Sequence, residues 1–87
     1  MSRLKICYFA SIREQLGLAA EMLDLPHDVN DVAALVDFLA NRNDGAPWAL
    51  LQDSGSVLVA VDQAVADRTA SLKGVQEVAF FPPMTGG

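Results

Sequence analysis

An 87-residue chain is expected to form a single domain, which can bury a genuine core but has little room for an enclosed active-site cavity. The 52% hydrophobic content favours a folded chain over a disordered one. The 11 acidic and 6 basic residues give a net charge of −5. That charge argues against nucleic acid or an anionic membrane as the partner and favours a protein with an electropositive docking surface.

Three features of the sequence indicate the cellular compartment in which the protein is expected. No apolar stretch approaches the roughly 18 residues of a membrane span, and the N-terminal MSRLKICYFA has no cleavage-site pattern after its short apolar run. Cys7 is the only cysteine, so an internal disulfide cannot form. We therefore expect a protein without a signal peptide in a reducing cytoplasm.

The first elements in chain order are two strands separated by a helical turn. LKICYFA at 4–10 is apolar and aromatic, which predicts a buried strand. SIREQL at 11–16 predicts a short helical turn that ends at Gly17. AEMLDL at 20–25 stops at Pro26 and predicts a second strand, antiparallel to the first.

The clearest predicted element is a helix over about 31–41. Asn30 or Asp31 can cap its first turn by accepting hydrogen bonds from free backbone N–H groups. Apolar residues at the spacing i, i+3, i+4 and i+7 then draw one stripe along the helix. They are Val32, Leu35, Val36 and Leu39.

A helical turn and a hairpin are predicted next. PWALL at 47–51 indicates a short turn, with Trp48 covering an edge of the core. VLVAV at 57–61 is a β-branched strand. Asp62-Gln63 predicts a two-residue turn into a further short strand at 64–66.

QEVAFF at 76–81 predicts the final strand. Within it Val78 and Phe80 share one face, and Ala79 and Phe81 share the other. The order of elements predicts a compact α+β domain, in which one main helix covers a mixed sheet of four to five strands. The first and last strands are the most apolar, so we expect them side by side at the centre.

Side chains that could catalyse a reaction are sparse. His27 is the only histidine and is expected to be an ordinary surface residue, while Cys7 is expected to be a buried small apolar side chain. A sulfur-carrying thiol at Cys7 is the alternative, but it would require exposure and a basic neighbour. Asp62 and Asp67 fit solvated turn carboxylates, and neither a metal site nor a phosphate-binding loop is indicated.

The C-terminal segment FPPMTGG carries the strongest functional signal. Pro82 and Pro83 favour an extended course, so six residues form a semi-rigid arm that reaches roughly 20 Å. Gly86 and Gly87 have no side chains and can pass through a narrow channel. The arm would present the carboxylate of Gly87 for activation, for example as an acyl-adenylate. A frayed end is the alternative.

The motif VAFFPPMTGG resembles the C-terminus of the molybdopterin synthase small subunits, a family of ubiquitin-like sulfur carriers. LKICYFASIRE resembles the first strand and turn of that family, VAALVDFL its helix, and VLVAVDQAV its hairpin. The likeness covers nearly the whole chain, and the C-terminal motif is its most specific part. Asp62 is a departure, since the family commonly has Asn in this turn.

The resemblance implies a β-grasp domain over 1–81 and an extended tail over 82–87. An E1-like enzyme would adenylate Gly87 with ATP and magnesium, and a sulfur donor would convert it to a thiocarboxylate. The tail would then enter the large synthase subunit and deliver sulfur to cyclic pyranopterin monophosphate, in a heterotetramer with two large subunits. The chain itself would bind no cofactor and would act only as the sulfur-donating subunit of the enzyme.

The resemblance also assigns candidate site residues. Gly87 is the residue that is modified, and the rest of the tail enters the partner's active site: Pro82, Pro83, Met84, Thr85 and Gly86. Phe81 and Val65 are candidates for an apolar docking face, with ordinary sheet packing as the alternative. Arg13 is a candidate for pairing with an acidic residue of the partner, with a solvated surface arginine as the alternative.

Three rival functions stay open from the sequence. A sulfur carrier for another pathway, such as thiamine biosynthesis, would share the fold and the Gly-Gly end, although the phenylalanine and proline run favours the molybdenum pathway. A ubiquitin-like modifier would conjugate Gly87 to lysines of target proteins. A pure interaction domain would never have its tail modified.

Overall fold

The computed structural model describes residues 3–42 and 44–83, which form five strands and three helical segments. In chain order these are β1 (Arg3–Tyr8), α1 (Ala10–Leu16), β2 (Ala20–Asp24), α2 (Val32–Asn41), a 3-10 helix (Ala46–Gln52), β3 (Leu58–Val61), β4 (Ala64–Ala66) and β5 (Glu77–Phe81). Every predicted helix and strand is present, with bounds that differ from the prediction by at most two residues.

The five strands form one mixed sheet in the order β2-β1-β5-β3-β4. β1 and β5 pair in parallel, and the other three pairs are antiparallel. The first and last strands therefore lie side by side in the middle of the sheet, as predicted. One main helix across one face of such a sheet is the β-grasp arrangement, and the predicted α+β class is confirmed.

The ends of the helices follow from single residues. Asp31, and not Asn30, caps α2, because its Oδ1 accepts a hydrogen bond from the backbone N–H of Ala34 at 2.8 Å. β1 ends at Tyr8, two residues before the predicted bound, because Ala10 turns the chain with a φ of 52° and starts α1. Gly17 ends α1 in the left-handed conformation, with a φ of 70°.

The β3–β4 hairpin turns on Asp62 and Gln63, as predicted. Their φ angles of 48° and 72° are those of a type I′ turn, whose twist matches the twist of the flanking strands. Asp62 Oδ1 also accepts hydrogen bonds from the backbone N–H groups of Gln76 and Glu77, each at 3.0 Å. Aspartate thus fits this turn and fastens it to the start of β5.

The core lies between α2, the 3-10 helix and the inner face of the sheet. All four residues of the predicted α2 stripe are buried, and Trp48 of the 3-10 helix closes the core with 8% of its surface exposed. From the sheet, the inner face contributes Leu4, Ile6, Tyr8, Val59, Val78 and Phe80. Within 3–42 and 44–83 the helices pack on this face only, so this part of the chain leaves the opposite face of the sheet open.

Candidate docking face and C-terminal arm

The open face of the sheet is largely apolar. Residues that pair across neighbouring strands project to the same side, so the register defines rows of side chains. One row crosses all five strands and consists of Ala20, Cys7, Ala79, Ala60 and Val65. Cys7, Ala60 and Ala79 are buried at its centre, whereas Val65 at the edge is 76% exposed.

A second row lies at the end of the sheet where β5 ends. Phe81 pairs with Leu58 on β3. Phe9 directly follows β1 and continues the outward-facing positions Lys5 and Cys7. Its backbone N–H donates to the carbonyl oxygen of Phe80 at 3.1 Å. Phe81 is half-buried and packs on the small residues at the centre of the first row, while Phe9 and Leu58 are exposed.

The two rows and Met22 define what we call the open face. Of the large apolar side chains in the described residues, four are exposed: Phe9, Met22, Leu58 and Val65. All four lie on this face. Met22 does so because it pairs with Lys5, which projects to the same side of β1 as Cys7. An apolar surface concentrated in this way is typical of a protein contact site.

Charged residues border the open face at its other end. Arg3 and Asp24 pair across β1 and β2 with 3.5 Å between Nε and Oδ1. Lys5 lies between Met22 and Glu77 in the register. The face therefore has an apolar end beside the arm and a polar end away from it, which resembles the apolar centre and polar rim of protein interfaces.

The arm starts at the apolar end of the open face. β5 ends at Phe81, after which Pro82 is half-buried and Pro83 is exposed. Because β1 and β5 run in parallel, α1 and the start of the arm lie at the same edge of the sheet. The predicted docking residue Arg13 is exposed on α1 at this edge.

Two of the predicted docking residues, Phe81 and Val65, lie on the same face of the sheet. The third, Arg13, is exposed on α1 at the end of the sheet where the arm starts. Their role in docking stays a prediction. The predicted reactive end lies outside the described residues: Met84, Thr85, Gly86 and Gly87.

The environment of Cys7 fits the expected small apolar side chain. It is 8% exposed and packs with Ala60 and Ala79. Burial raises the pKa of the Cys7 thiol, and the nearby carboxylate of Glu77 raises it further. A thiol held in its protonated form is a poor nucleophile, so this position does not suit a sulfur-carrying thiolate.

The other predicted candidates are surface residues. His27 is exposed in the loop between β2 and α2, and Asp67 accepts hydrogen bonds from the backbone and hydroxyl of Thr69. Within 3–42 and 44–83, no group of three or more His, Cys, Asp or Glu residues could hold a metal ion. None of the helices in this part of the chain is both long and apolar enough to cross a membrane.

Comparison with known proteins decides the family. The sequence pattern described as the ThiS family matches residues 6–87. The chain belongs to the ThiS family. Two relatives, both described as molybdopterin synthase sulfur carrier subunit, come from Haemophilus influenzae (37% identity) and Escherichia coli (38% identity). Each match spans 84 residues, 97% of this chain and 99% of the relative.

Structural comparison of this ThiS family member shows the same fold. SAMP1 from Haloferax volcanii has a TM-score of 0.71 at 20% identity, with 99% of this chain and 100% of that chain covered. A complex of subunits 1 and 2 of molybdopterin-converting factor from Helicobacter pylori contains a chain with a TM-score of 0.63 at 20% identity, with 99% of this chain and 100% of that chain covered. At this identity the likeness carries the β-grasp fold alone.

Sequence reasoning missed three residues of the open face: Phe9, Met22 and Leu58. The sequence did contain a signal for Met22. In β2, Met22 points to the opposite side of the strand from Glu21 and Leu23, and one of these two sides had to face outward. Phe9 was assigned to the interior of an apolar run. Leu58 gave no signal of its own, because VLVAV is apolar at every position.

Proposed function

We propose that this chain is the sulfur carrier subunit of a molybdopterin synthase. In this proposal Gly87 carries a thiocarboxylate whose sulfur goes to cyclic pyranopterin monophosphate and builds the dithiolene of molybdopterin. The observation that carries the proposal is the identity of 37% and 38% to two proteins described as that subunit, over 97% of this chain. The family match extends to residue 87, so it includes the Gly-Gly pair.

The proposed cycle uses the Gly87 carboxylate as a handle. A carboxylate is a poor electrophile, so an E1-like enzyme would use ATP and magnesium to form the acyl-adenylate and release pyrophosphate. A sulfur donor would then deliver sulfur at the sulfide level, and attack of that sulfur on the acyl carbon would displace AMP and leave the thiocarboxylate. Glycine at this position places no side chain beside the carbonyl carbon, which leaves the approach of the sulfur nucleophile open.

The open face would dock on the large synthase subunit. Its exposed apolar side chains would bury on docking, and each large aliphatic or aromatic group that is fully buried contributes about 1.5–3 kcal/mol. The arm starts at the apolar end of this face, so docking would direct the six C-terminal residues into the partner. The chain's net charge of −5 suits an electropositive partner surface.

In this division of labour the carrier supplies sulfur, and the large subunit supplies the pterin-binding and acid–base groups. The Helicobacter pylori structure is described as a complex of subunits 1 and 2 of molybdopterin-converting factor, which supports a large-subunit partner for this chain. We also propose a heterotetramer that contains two large subunits, and a cytoplasmic location.

A ubiquitin-like modifier is the second candidate, because SAMP1, which is described as a small archaeal modifier protein, shares the fold with a TM-score of 0.71. The two functions share an activated Gly87 and differ in what attacks it. In a modifier the attacking group is a lysine amine of a target protein, and the product is an isopeptide bond.

The test reconstitutes the reaction from purified carrier, large subunit, E1-like enzyme, sulfur donor, ATP, magnesium and cyclic pyranopterin monophosphate. We expect molybdopterin with the wild-type chain and none with a chain that lacks Gly87. Ala33→Asp, an exposed change on α2 away from the arm, is the control and should behave as the wild type. Molybdopterin formation without Gly87 would contradict the proposal, and adducts on lysines with no molybdopterin would support the modifier.

A further inference from the structure

Tyr8, Glu21, Arg42 and Trp48 form a hydrogen-bonded group on the inner side of the sheet, which we call the tyrosine cluster. The Tyr8 hydroxyl donates to Glu21 Oε2 at 2.7 Å and accepts from Trp48 Nε1 at 2.8 Å. Tyr8 is 1% exposed. A buried hydroxyl that both donates and accepts fixes the ring, because rotation would leave buried polar atoms without partners.

Arg42 closes the cluster from the end of α2. Two of its guanidinium nitrogens donate to the two carboxylate oxygens of Glu21 at 2.8 and 2.7 Å. The guanidinium also lies over the Trp48 ring, 4.6 Å from the ring centroid. Bidentate pairing and stacking together hold β2, α2 and the 3-10 helix against the end of β1.

The tyrosine cluster is connected to the arm through Phe80. The rings of Tyr8 and Phe80 are stacked, with centroids 6.1 Å apart and an interplanar angle of 15°. Tyr8 and Phe80 are also paired in the parallel β1–β5 register. Phe80 is followed by Phe81, the last residue of β5, and by Pro82, where the arm begins.

We propose that the tyrosine cluster is a positioning device for the root of the arm. It fixes Tyr8, the Tyr8 ring fixes Phe80, and Phe80 sets the direction in which the chain leaves β5. For an arm of the length expected from the sequence, roughly 20 Å, a tilt of about 10° at the root would move the far end by about 3.5 Å. Displacements of that size are enough to slow a transfer step that requires aligned reacting atoms.

This inference rests on the proposed function and predicts that the rate of sulfur transfer and the affinity of docking respond differently to a change in the cluster. Tyr8 projects to the inner face, whereas docking would use the open face on the other side of the sheet. Loosening the cluster should therefore lower the rate of sulfur transfer within the docked complex and leave the affinity of docking nearly unchanged. A purely structural role would lower only the stability of the carrier.

The test uses carriers already loaded as thiocarboxylates, so that the activation step does not contribute. Tyr8→Phe keeps the stacked ring and removes both hydroxyl hydrogen bonds, and Glu21→Gln weakens the same cluster from β2. Val36→Ala, a core truncation on α2 outside the cluster, is the control for lost stability. The measurements are the single-turnover rate with saturating large subunit and the Kd for that subunit.

We expect Tyr8→Phe and Glu21→Gln to slow transfer about 5-fold with Kd within about 2-fold of wild type, and Val36→Ala to leave both near wild type. Transfer by both cluster variants at the Val36→Ala rate would overturn the inference. Absence of transfer from the loaded wild-type carrier would instead overturn the proposed function.

Discussion

Val65 and Phe81 project from the same open face of the sheet, although β3 separates the strands that carry them. Ala60 on β3 pairs with Val65, and Leu58, two residues earlier on the same strand, pairs with Phe81. Val65 is 76% exposed, whereas Phe81 packs on the buried alanines beside it. Val65 is therefore the position where a change can alter the face without disturbing the core.

Val65→Asp should weaken docking on the large subunit by tenfold or more. The change removes an apolar contact and places a charge that docking would desolvate, and about 1.4 kcal/mol already corresponds to tenfold in Kd. Since the side chain is exposed in the free carrier, the melting temperature should change little. Titration calorimetry for binding and thermal unfolding for stability measure the two effects.

Ala33→Asp on the helical side is the matched control for adding a negative charge. Its Kd should stay within about 2-fold of wild type, since exposed changes outside an interface contribute little. Equal weakening by both variants would mean that net charge, and not the open face, governs docking.

Glu21 should make the stability of the carrier sensitive to acid. Burial raises the pKa of its carboxyl, but hydrogen bonds from Arg42 and Tyr8 outweigh burial, and the pKa lies below its ordinary value of 4.5. The folded chain therefore binds this proton less readily than the unfolded chain. The stabilisation is fully present above about pH 4.5 and is lost as the pH falls through the folded pKa.

Denaturant unfolding of wild type and Glu21→Gln between pH 7 and pH 3 measures this contribution. We expect the wild type to be the more stable protein at neutral pH and the difference to shrink with acid. Glu14→Gln, at an exposed position of α1, controls for the loss of one carboxylate. A difference between wild type and Glu21→Gln that is independent of pH would contradict the assignment.

Asp62 should tolerate asparagine but not alanine. Asparagine keeps the side-chain oxygen that accepts from the N–H groups of Gln76 and Glu77, and it adopts positive φ readily. Alanine loses the acceptor and strains a backbone with a φ of 48°. We expect Asp62→Ala to lower the free energy of unfolding by about 1–2 kcal/mol and Asp62→Asn to change it by less than about 0.5 kcal/mol. Similar losses in both variants would refute the role given to the oxygen.

Cys7→Ala should leave sulfur transfer unchanged. The Cys7 thiol is buried beneath the open face and its pKa is raised, so we assign it no chemical role. Replacing it removes one small buried group, which should cost about 1 kcal/mol of stability. The rate of molybdopterin formation in the reconstituted reaction is the measurement, and a chain that loses transfer while staying folded would show that Cys7 carries sulfur.

The sequence predicts the elements of this fold because each is encoded locally. The apolar stripe of α2, the Gly17 stop and the Asp62-Gln63 turn depend on residues within a few positions of one another. The central place of β1 and β5 was also predictable, since the stretches ICYF and VAFF are apolar at every position.

The open face and the tyrosine cluster were not predictable in the same way. Alternation within a strand shows which residues share a side of that strand. The register between strands decides which of these sides form one face of the sheet, so the sequence could not place Met22 and Leu58 on the same face as Val65. The contact of Tyr8 with Trp48 joins residues 40 positions apart. Glu21 gave a partial signal, because it is a charged residue on the same side of β2 as the apolar Leu23. Only the folded chain reveals the hydrogen-bond partners of Glu21.

The central claim is that Gly87 carries the sulfur. The most direct measurement is the intact mass of the carrier after incubation with its E1-like enzyme, ATP, magnesium and a sulfur source, followed by fragmentation that locates the change. We predict one oxygen-for-sulfur exchange at Gly87 in the wild type and in Cys7→Ala, and no exchange in the chain that lacks Gly87. An unchanged mass, or sulfur located on Cys7, would contradict it.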